Sequence, residues 1–302
     1  MNSHFYVVIL AGGEGTRFAP LSSPEKPKQF LPIVTDSRTM IQETYGRISS
    51  LVPESNIFVS TNERYLSLVR DQLPSVPGSC IIGEPVKKNT APPMALLARL
   101  IFEQDPKAVL SFFPADHYID DSGKAVGCFR KAALFAAEEP ILVTFGIVPE
   151  FPSTEYGYIR KEGACHPGGA SKVLSFFEKP DLQRAEGYLK AGDYFWNSGM
   201  FVWKAAVFLD AVRKQTPRLS SLLDGISFQA DGSLDPTFCR HYFEKAESIS
   251  VDYAIMEKAD NVMMFPFDAG WSDVGTWKGL KDLARRFNLQ LPAEVKSHLS
   301  RM

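Results

Sequence analysis

The sequence predicts an α/β fold: a mixed, mostly parallel sheet with helices on both faces and a small antiparallel excursion in the second half. Three observations predict it. Short apolar runs suited to strands buried on both faces, Val7-Val8-Ile9-Leu10 first among them, recur along the chain. Through the first half they alternate with stretches at helical spacing, the pattern of βαβ units. Later, residues 156–160 and 172–178 read as two strands separated by the turn-forming Cys165-His166-Pro167-Gly168-Gly169.

Taken in order, residues 39–52 carry Met40, Thr44-Tyr45, Ile48 and Leu51 at helical spacing. A strand is expected at 56–61, a short helix at 63–73 and a third strand at 79–82. Asn89 or Thr90 can cap the next helix, whose first turn tolerates Pro92 and Pro93 and whose stripe is Met94, Leu97 and Ile101. A strand at 108–113, a helix at 124–138 and a strand at 140–147 complete the alternating half. Beyond the excursion come helices at 181–192 and 205–215, a strand at 198–204 and a late strand at 262–267. Residues 216–246 read as helical or irregular. Trp277, Leu280, Leu283 and Phe287 make 275–287 an amphipathic helix. With no repeat and no Gly/Ser- or Pro-rich linker, one domain over residues 1–288 is expected, followed by a short tail, 289–302.

The totals bound the function. At 302 residues, 45% apolar and 23% charged, the chain can bury a substantial core. A net charge of −2 supplies no basic field for nucleic acid or an anionic membrane, so anion binding has to be local. Cys80, Cys128, Cys165 and Cys239 lack metal-like spacing and read as thiols of a reducing compartment. Without a secretory leader or an apolar run of about 18 residues, a cytoplasmic protein is expected.

Local anion binding points to Val7 through Leu31. The apolar run breaks at Gly12-Gly13-Glu14-Gly15, where nothing holds the backbone away from a ligand. A strand ending in such a loop offers N–H groups to phosphate oxygens, and Arg17, Lys26 and Lys28 add cations. The loop is not a Walker A motif, because Gly15 is followed by Thr16-Arg17 rather than Lys-Ser or Lys-Thr. Nor is it the dinucleotide fingerprint, whose last glycine would fall at Phe18.

Other stretches carry chemistry weakly when taken singly. Asp116 ends an apolar strand at Pro114-Ala115-Asp116-His117, where it can hold Mg²⁺ or cap the next segment. Asp273, in Gly270-Trp271-Ser272-Asp273-Val274-Gly275, has the same two readings. Glu178 can accept from sugar hydroxyls and Lys179 can pair with a phosphate, or both simply close a strand in a polar turn. Asn197, with Gly199 beside it, and Gly157 offer further polar and main-chain contacts to a sugar.

The motifs GGxGTR, PKQF, NTAPP, PADH, YGYI, FEKP, NSGMF and WSDVG follow one another over residues 7–277. In that order they resemble the sugar-1-phosphate nucleotidylyltransferases, and most closely the mannose-1-phosphate guanylyltransferase branch. The resemblance implies a Rossmann-like fold of the nucleotide-diphospho-sugar transferase type, with GTP and mannose 1-phosphate as substrates. It makes Arg17, Lys28, Asp116 and Asp273 catalytic, the two aspartates holding Mg²⁺. Leu10, Ala11, Gly12, Gly13, Gly15, Thr16, Arg17, Lys28, Asn89, Thr90, Pro92 and Asp116 would bind the nucleotide. Gly157, Glu178, Lys179 and Asn197 would bind the sugar phosphate. A homodimer is the expected assembly, with neither nucleic acid nor membrane as a partner. The chain departs from the family's usual pattern at Phe18-Ala19 and at Glu155. Many relatives continue into a β-helical portion, and residues 289–302 are too few to form one. The same chemistry on a heptose or glucose 1-phosphate, and a silent nucleotide-sugar-binding regulator, are the alternatives. A nicotinamide-dependent oxidoreductase rests on fold analogy alone.

Overall fold

The computed structural model describes residues 3–165, 169–230 and 232–302. The strands are β1 (Phe5–Leu10), β2 (Ile57–Asn62), β3 (Ile81–Glu84), β4 (Val109–Pro114), β5 (Tyr118–Ile119) and β6 (Leu142–Ile147). They continue with β7 (Tyr158–Cys165), β8 (Ser171–Phe177), β9 (Tyr194–Lys204), β10 (Val262–Pro266) and β11 (Trp271–Ser272). The helices are α1 (Met40–Ile48), α2 (Leu66–Gln72), α3 (Ala91–Gln104), α4 (Ser122–Glu138) and α5 (Leu182–Ala191). After them come α6 (Ala205–Gln215), α7 (Pro217–Leu223), α8 (Pro236–Lys245), α9 (Trp277–Arg286) and α10 (Ala293–Ser300). The expected α/β class is borne out, and residues 216–246 resolve into α7 and α8, each opened by a proline in its first turn.

The chain packs as two compact units. One, the loop unit, comprises Val7–Pro85, Phe113–Val126 and Ala269–Met302. The other, the hairpin unit, comprises Met1–Tyr6, Val86–Phe112 and Gly127–Asp268.

In the loop unit β1, β2 and β3 pair in parallel, Val7 opposite Ile57 and Val59 opposite Ile81. Val7, Val8 and Ile9 are all buried, as a strand covered on both faces requires. A two-stranded antiparallel ribbon sets Ile119 of β5 opposite Trp271 of β11. It therefore draws together residue 116, just before β5, and residue 273, just after β11. The ribbon leads into a core of Phe18, Ile33, Met40, Val274, Trp277, Leu280 and Leu283. The stretch expected as a tail is helical at α10, and its Leu291 and Val295 are buried in that same core.

In the hairpin unit the strand order is β4-β9-β6-β10-β8-β7. β6 and β10 are parallel, whereas β9 runs antiparallel to both β4 and β6. β7 and β8 form the expected antiparallel pair; their turn falls, at residues 166–168, outside the described residues. β7 also pairs with β9, so β6, β10, β8, β7 and β9 make a closed ring of pairings around Ile159, Phe195 and Met264. Closure satisfies strand edges that would otherwise stay unpaired. The antiparallel part thus takes in β9 as well, because that strand pairs with β7 in addition to β4 and β6. α3 is buried along most of its length, Ala91 through Ala98 included, so its apolar face is wider than the stripe Met94, Leu97 and Ile101.

Candidate active site

In the loop unit the glycine loop is held by its carbonyls. Gln29 Nε2 donates to the carbonyls of Ala11 at 2.9 Å and Gly13 at 2.6 Å. Thr61 Oγ1 donates to the same Ala11 carbonyl at 3.0 Å, and Ser22 Oγ donates to that of Gly15 at 2.7 Å. Among the described residues the N–H groups of Gly12, Gly13 and Gly15 have no hydrogen-bond partner. Tied carbonyls and open N–H groups make a concavity of the kind that binds anions. Gly15 has φ +57°, and a Cβ there would lie 2.4 Å from the Lys28 nitrogen, so only glycine fits. Thr16 and Arg17 are exposed at the rim, while Glu14 pairs with Arg64 at 3.6 Å. Phe18, one of the departures from the family pattern, is buried with its ring 4.9 Å from that of Trp277.

Lys28 is 4% exposed. Its ammonium lies 2.9 Å from Asp116 Oδ2 and donates to the carbonyls of Asp273 at 3.0 Å and Val274 at 2.8 Å. A buried ammonium is tolerable only when paired and hydrogen-bonded, and three acceptors use all three of its protons. Val274 holds φ +47°, a strained value for a β-branched residue, and the Lys28 bond to its carbonyl helps to fix it.

Neither aspartate is a helix cap. Thr276 caps α9 through its hydroxyl, and Asp273 accepts a local bond from the Gly275 N–H, at 3.1 Å. Asp116 is spent on Lys28. Burial raises the Asp116 pKa, but the Lys28 ammonium, aided by His117, outweighs it and holds the carboxylate below the usual aspartate value. Burial pushes His117 down to about 4, so its ring is neutral at pH 7. Trp271 Nε1 donates to His117 Nδ1 at 3.2 Å, which assigns the ring proton to Nε2. His117 is thus structural on its Nδ1 side. Among the described residues no three His, Cys, Asp or Glu side chains cluster as a metal cage. Asp116 and Asp273 offer the one or two carboxylates that a hard divalent cation takes when phosphates and water complete its shell.

Glu84, missed in the sequence, ends β3 and is 5% exposed. Ser60 Oγ donates to its Oε1 at 2.7 Å, and a Cβ on Gly12 would stand 3.3 Å from that oxygen. An acid at the carboxyl end of a parallel strand was the available signal.

The hairpin unit holds the remaining candidates. Asn89 takes φ +64°, and its Oδ1 accepts from the Thr90 N–H at 2.9 Å. Thr90 precedes α3, but its hydroxyl makes no cap bond; it accepts instead from the Val251 N–H at 2.9 Å. The Pro92 carbonyl accepts from Tyr242 Oη at 2.9 Å. Gly157, Glu178 and Asn197 come together: the Asn197 N–H donates to the Gly157 carbonyl at 2.8 Å. A Cβ on Gly157 would stand 2.9 Å from Glu178 Oε2. Lys179 Nζ is 3.8 Å from Glu178 Oε1, and Lys179 holds φ +41° directly before Pro180, where strain marks a constrained loop.

Asp252, also missed, accepts from Asn197 Nδ2 at 2.7 Å. Burial first, then the charge of Glu178, pushes its carboxyl up to about 6. Against an ordinary value of 3.8, the folded state binds this proton more tightly than the unfolded chain does. The stability it contributes is present below pH 4 and is lost as the pH rises to 6. Asp252→Asn removes the ionisation, so it should gain on the wild type by about 1–3 kcal/mol between pH 4 and 7. Urea midpoints at the two pH values measure this; an identical difference at both would contradict it.

A sequence profile of the nucleotidyl transferase family matches residues 6–288. The chain is 40% identical over 283 residues to Xanthan biosynthesis protein XanB of Xanthomonas campestris pv. campestris (strain B100), covering 92% of this chain and 59% of that protein. It is 39% identical over 295 residues to a mannose-1-phosphate guanylyltransferase of Escherichia coli K12, covering 93% of this chain and 60% of that one. The chain therefore spans about three fifths of the length of these curated relatives. Among solved structures, one titled mannose-1-phosphate geranyltransferase, from Thermus thermophilus, superposes with a TM-score of 0.82 at 30% identity, covering 93% of this chain and 79% of that one. The glycine loop, the two aspartates and the profile match across nearly the whole sequence agree: this chain belongs to the nucleotidyl transferase family.

Proposed function

We propose that the chain transfers GMP from GTP to mannose 1-phosphate, giving GDP-mannose and pyrophosphate. The observation that carries this reading is the Lys28 ammonium, on which Asp116 and the backbone of Asp273 converge behind a loop of open N–H groups. Family membership supports the reaction class, and the guanylyltransferase relative supports the substrate pair.

A phosphate oxygen of the sugar phosphate attacks the α-phosphorus of GTP in line, and pyrophosphate departs. Such transfers need positioning and charge stabilisation more than covalent help from the protein. Exposed Arg17 and the N–H groups of Gly12, Gly13 and Gly15 hold the leaving phosphates. Asp116 and Asp273 would hold a divalent cation, Mg²⁺ in this proposal, which when bound stabilises charge on the reacting phosphates. Lys28 has its three protons on protein oxygens, so it acts on the α-phosphate by charge and by fixing Asp116. Leu10, Ala11 and Thr16 complete the loop's nucleotide contacts, with Asn89, Thr90 and Pro92 assigned to the nucleoside. Lys179 takes the sugar phosphate, while Gly157, Glu178 and Asn197 take sugar hydroxyls.

Glu84 supports guanine as the base. A carboxylate accepts from both N1–H and the N2 amino group of guanine, a donor pair that adenine lacks. Residues 1–288 act in this proposal as one catalytic domain. Among the described residues no helix is long and apolar enough to cross a membrane, and Cys80, Cys128 and Cys239 are free thiols. A cytoplasmic homodimer is the form proposed.

Pyrophosphate release with Mg²⁺, each of four NTPs and mannose, glucose or heptose 1-phosphate tests the reading. GTP with mannose 1-phosphate should be fastest; no release from any pair would overturn it. Asp116→Ala and Asp273→Ala should each lower turnover by roughly 10³-fold or more, as loss of a metal ligand does. Glu84→Gln swaps one acceptor for a donor and should narrow the preference for GTP over ATP by about tenfold. An unchanged NTP profile would remove Glu84 from base selection.

A further inference from the structure

The amide of Asn197 is hydrogen-bonded at both its oxygen and its nitrogen. β6 and β9 pair in register from Leu142↔Trp203 to Thr144↔Phe201, then resume at Gly146↔Asn197. Residues 198–200 therefore bulge from β9, with Gly199 at φ +70°. The Gly199 N–H turns back onto Asn197 Oδ1 at 3.4 Å, and buried Thr144 Oγ1 donates to the same oxygen at 3.0 Å. A backbone N–H can only donate, so that atom of the amide has to be the oxygen. Nδ2 then faces Asp252, whose Oδ1 accepts from it at 2.7 Å. Among the described residues Asp252 is the only partner of Nδ2, which leaves its second N–H to donate elsewhere.

Asp252 is itself held in place. It opens a π-helical turn, Asp252–Met256, in which the Glu257 N–H donates to the Asp252 carbonyl at 2.9 Å. Turns of this kind are rare and concentrate at functional sites. The residues just before it are bonded to the loop leading into α3. Ile249 N–H donates to the Lys88 carbonyl at 3.2 Å, Ala91 N–H to the Ile249 carbonyl at 3.1 Å, and Val251 N–H to Thr90 Oγ1 at 2.9 Å. The segment 249–252 thus links the Lys88–Ala91 stretch, through Ile249 and Val251, to Asn197, through Asp252.

We propose that Asp252 is a positioning residue for the sugar phosphate: it fixes the Asn197 amide so that one N–H, beside the Gly157 edge and Glu178, is aimed at a sugar hydroxyl. This rests on the sugar-binding assignment of Asn197 given above. Asp252 makes no contact with substrate in the proposal; it acts through Asn197.

The test compares Asp252→Ala, Asp252→Ser and Asp252→Asn in the full chain, using GTP and mannose 1-phosphate. Alanine and serine cannot reach Nδ2; whichever folds should raise KM for mannose 1-phosphate by about tenfold or more and leave KM for GTP within about twofold. Asparagine keeps an oxygen for the Asn197 N–H and should bring the sugar-phosphate KM back to within about threefold. Unchanged constants in an active alanine or serine variant would overturn the proposal. So would a rise in both KM values together with a lowered melting temperature and no recovery in Asp252→Asn, the pattern of a purely structural residue. A wild type that releases no pyrophosphate from any pair would instead overturn the catalytic reading, and this inference with it.

Discussion

One buried ammonium organises the loop unit. Lys28 sits where water cannot solvate it, so its charge has to be met by protein oxygens, and the chain supplies three from two distant segments. Much of the local structure follows from that demand. The β5–β11 ribbon brings residues 116 and 273 within reach. Val274 accepts a strained φ so that its carbonyl can face the ammonium. Gly15 gives up its side chain because the Lys28 backbone occupies that space. The core of Phe18, Val274, Trp277, Leu280 and the C-terminal Val295 packs around the same segments, so apolar burial and the ion pair constrain the same backbone.

The hairpin unit meets a comparable demand with neutral groups. Residues 198–200 bulge from β9 beside the paired Asn197, whose side chain takes up Gly199, Thr144 and Asp252 as partners. Burial raises both acids, but at Asp252 Glu178 adds to it, whereas at Asp116 the Lys28 ammonium outweighs it. The two acids differ in environment, not in type. One is kept ionised by an ammonium and suits a metal; the other is easily protonated and suits a hydrogen-bonding frame.

Periodicity was a good guide where burial is two-sided or cleanly amphipathic. The strand at Val7–Leu10, the helix Ala205–Gln215 and the apolar stripe of α9 follow from residue order alone. It was a poorer guide at 216–246, where two proline-opened helices carry short apolar faces, and at 289–302, whose helix becomes evident only through what it packs against. Within the candidate site, the glycines and cations were legible because their chemistry is local. Glu84 and Asp252 were not, since a lone acid at a strand end or in a short turn looks like any solvated acid until its partners are known.

By itself the sequence determined the α/β class, the glycine loop and the identity of the acids and cations available, because these depend on neighbours a few residues away. It also settled that the loop was neither of the two commoner nucleotide motifs. Only the tertiary structure decided what those groups do to one another. It spent Lys28 on Asp116 and two carbonyls, withdrew Asp273 from the cap of α9, turned the Thr90 hydroxyl away from its own helix, and tied Asn197 to an acid 55 residues on. Each of those outcomes depends on polar groups from distant segments that the fold brings within hydrogen-bond reach.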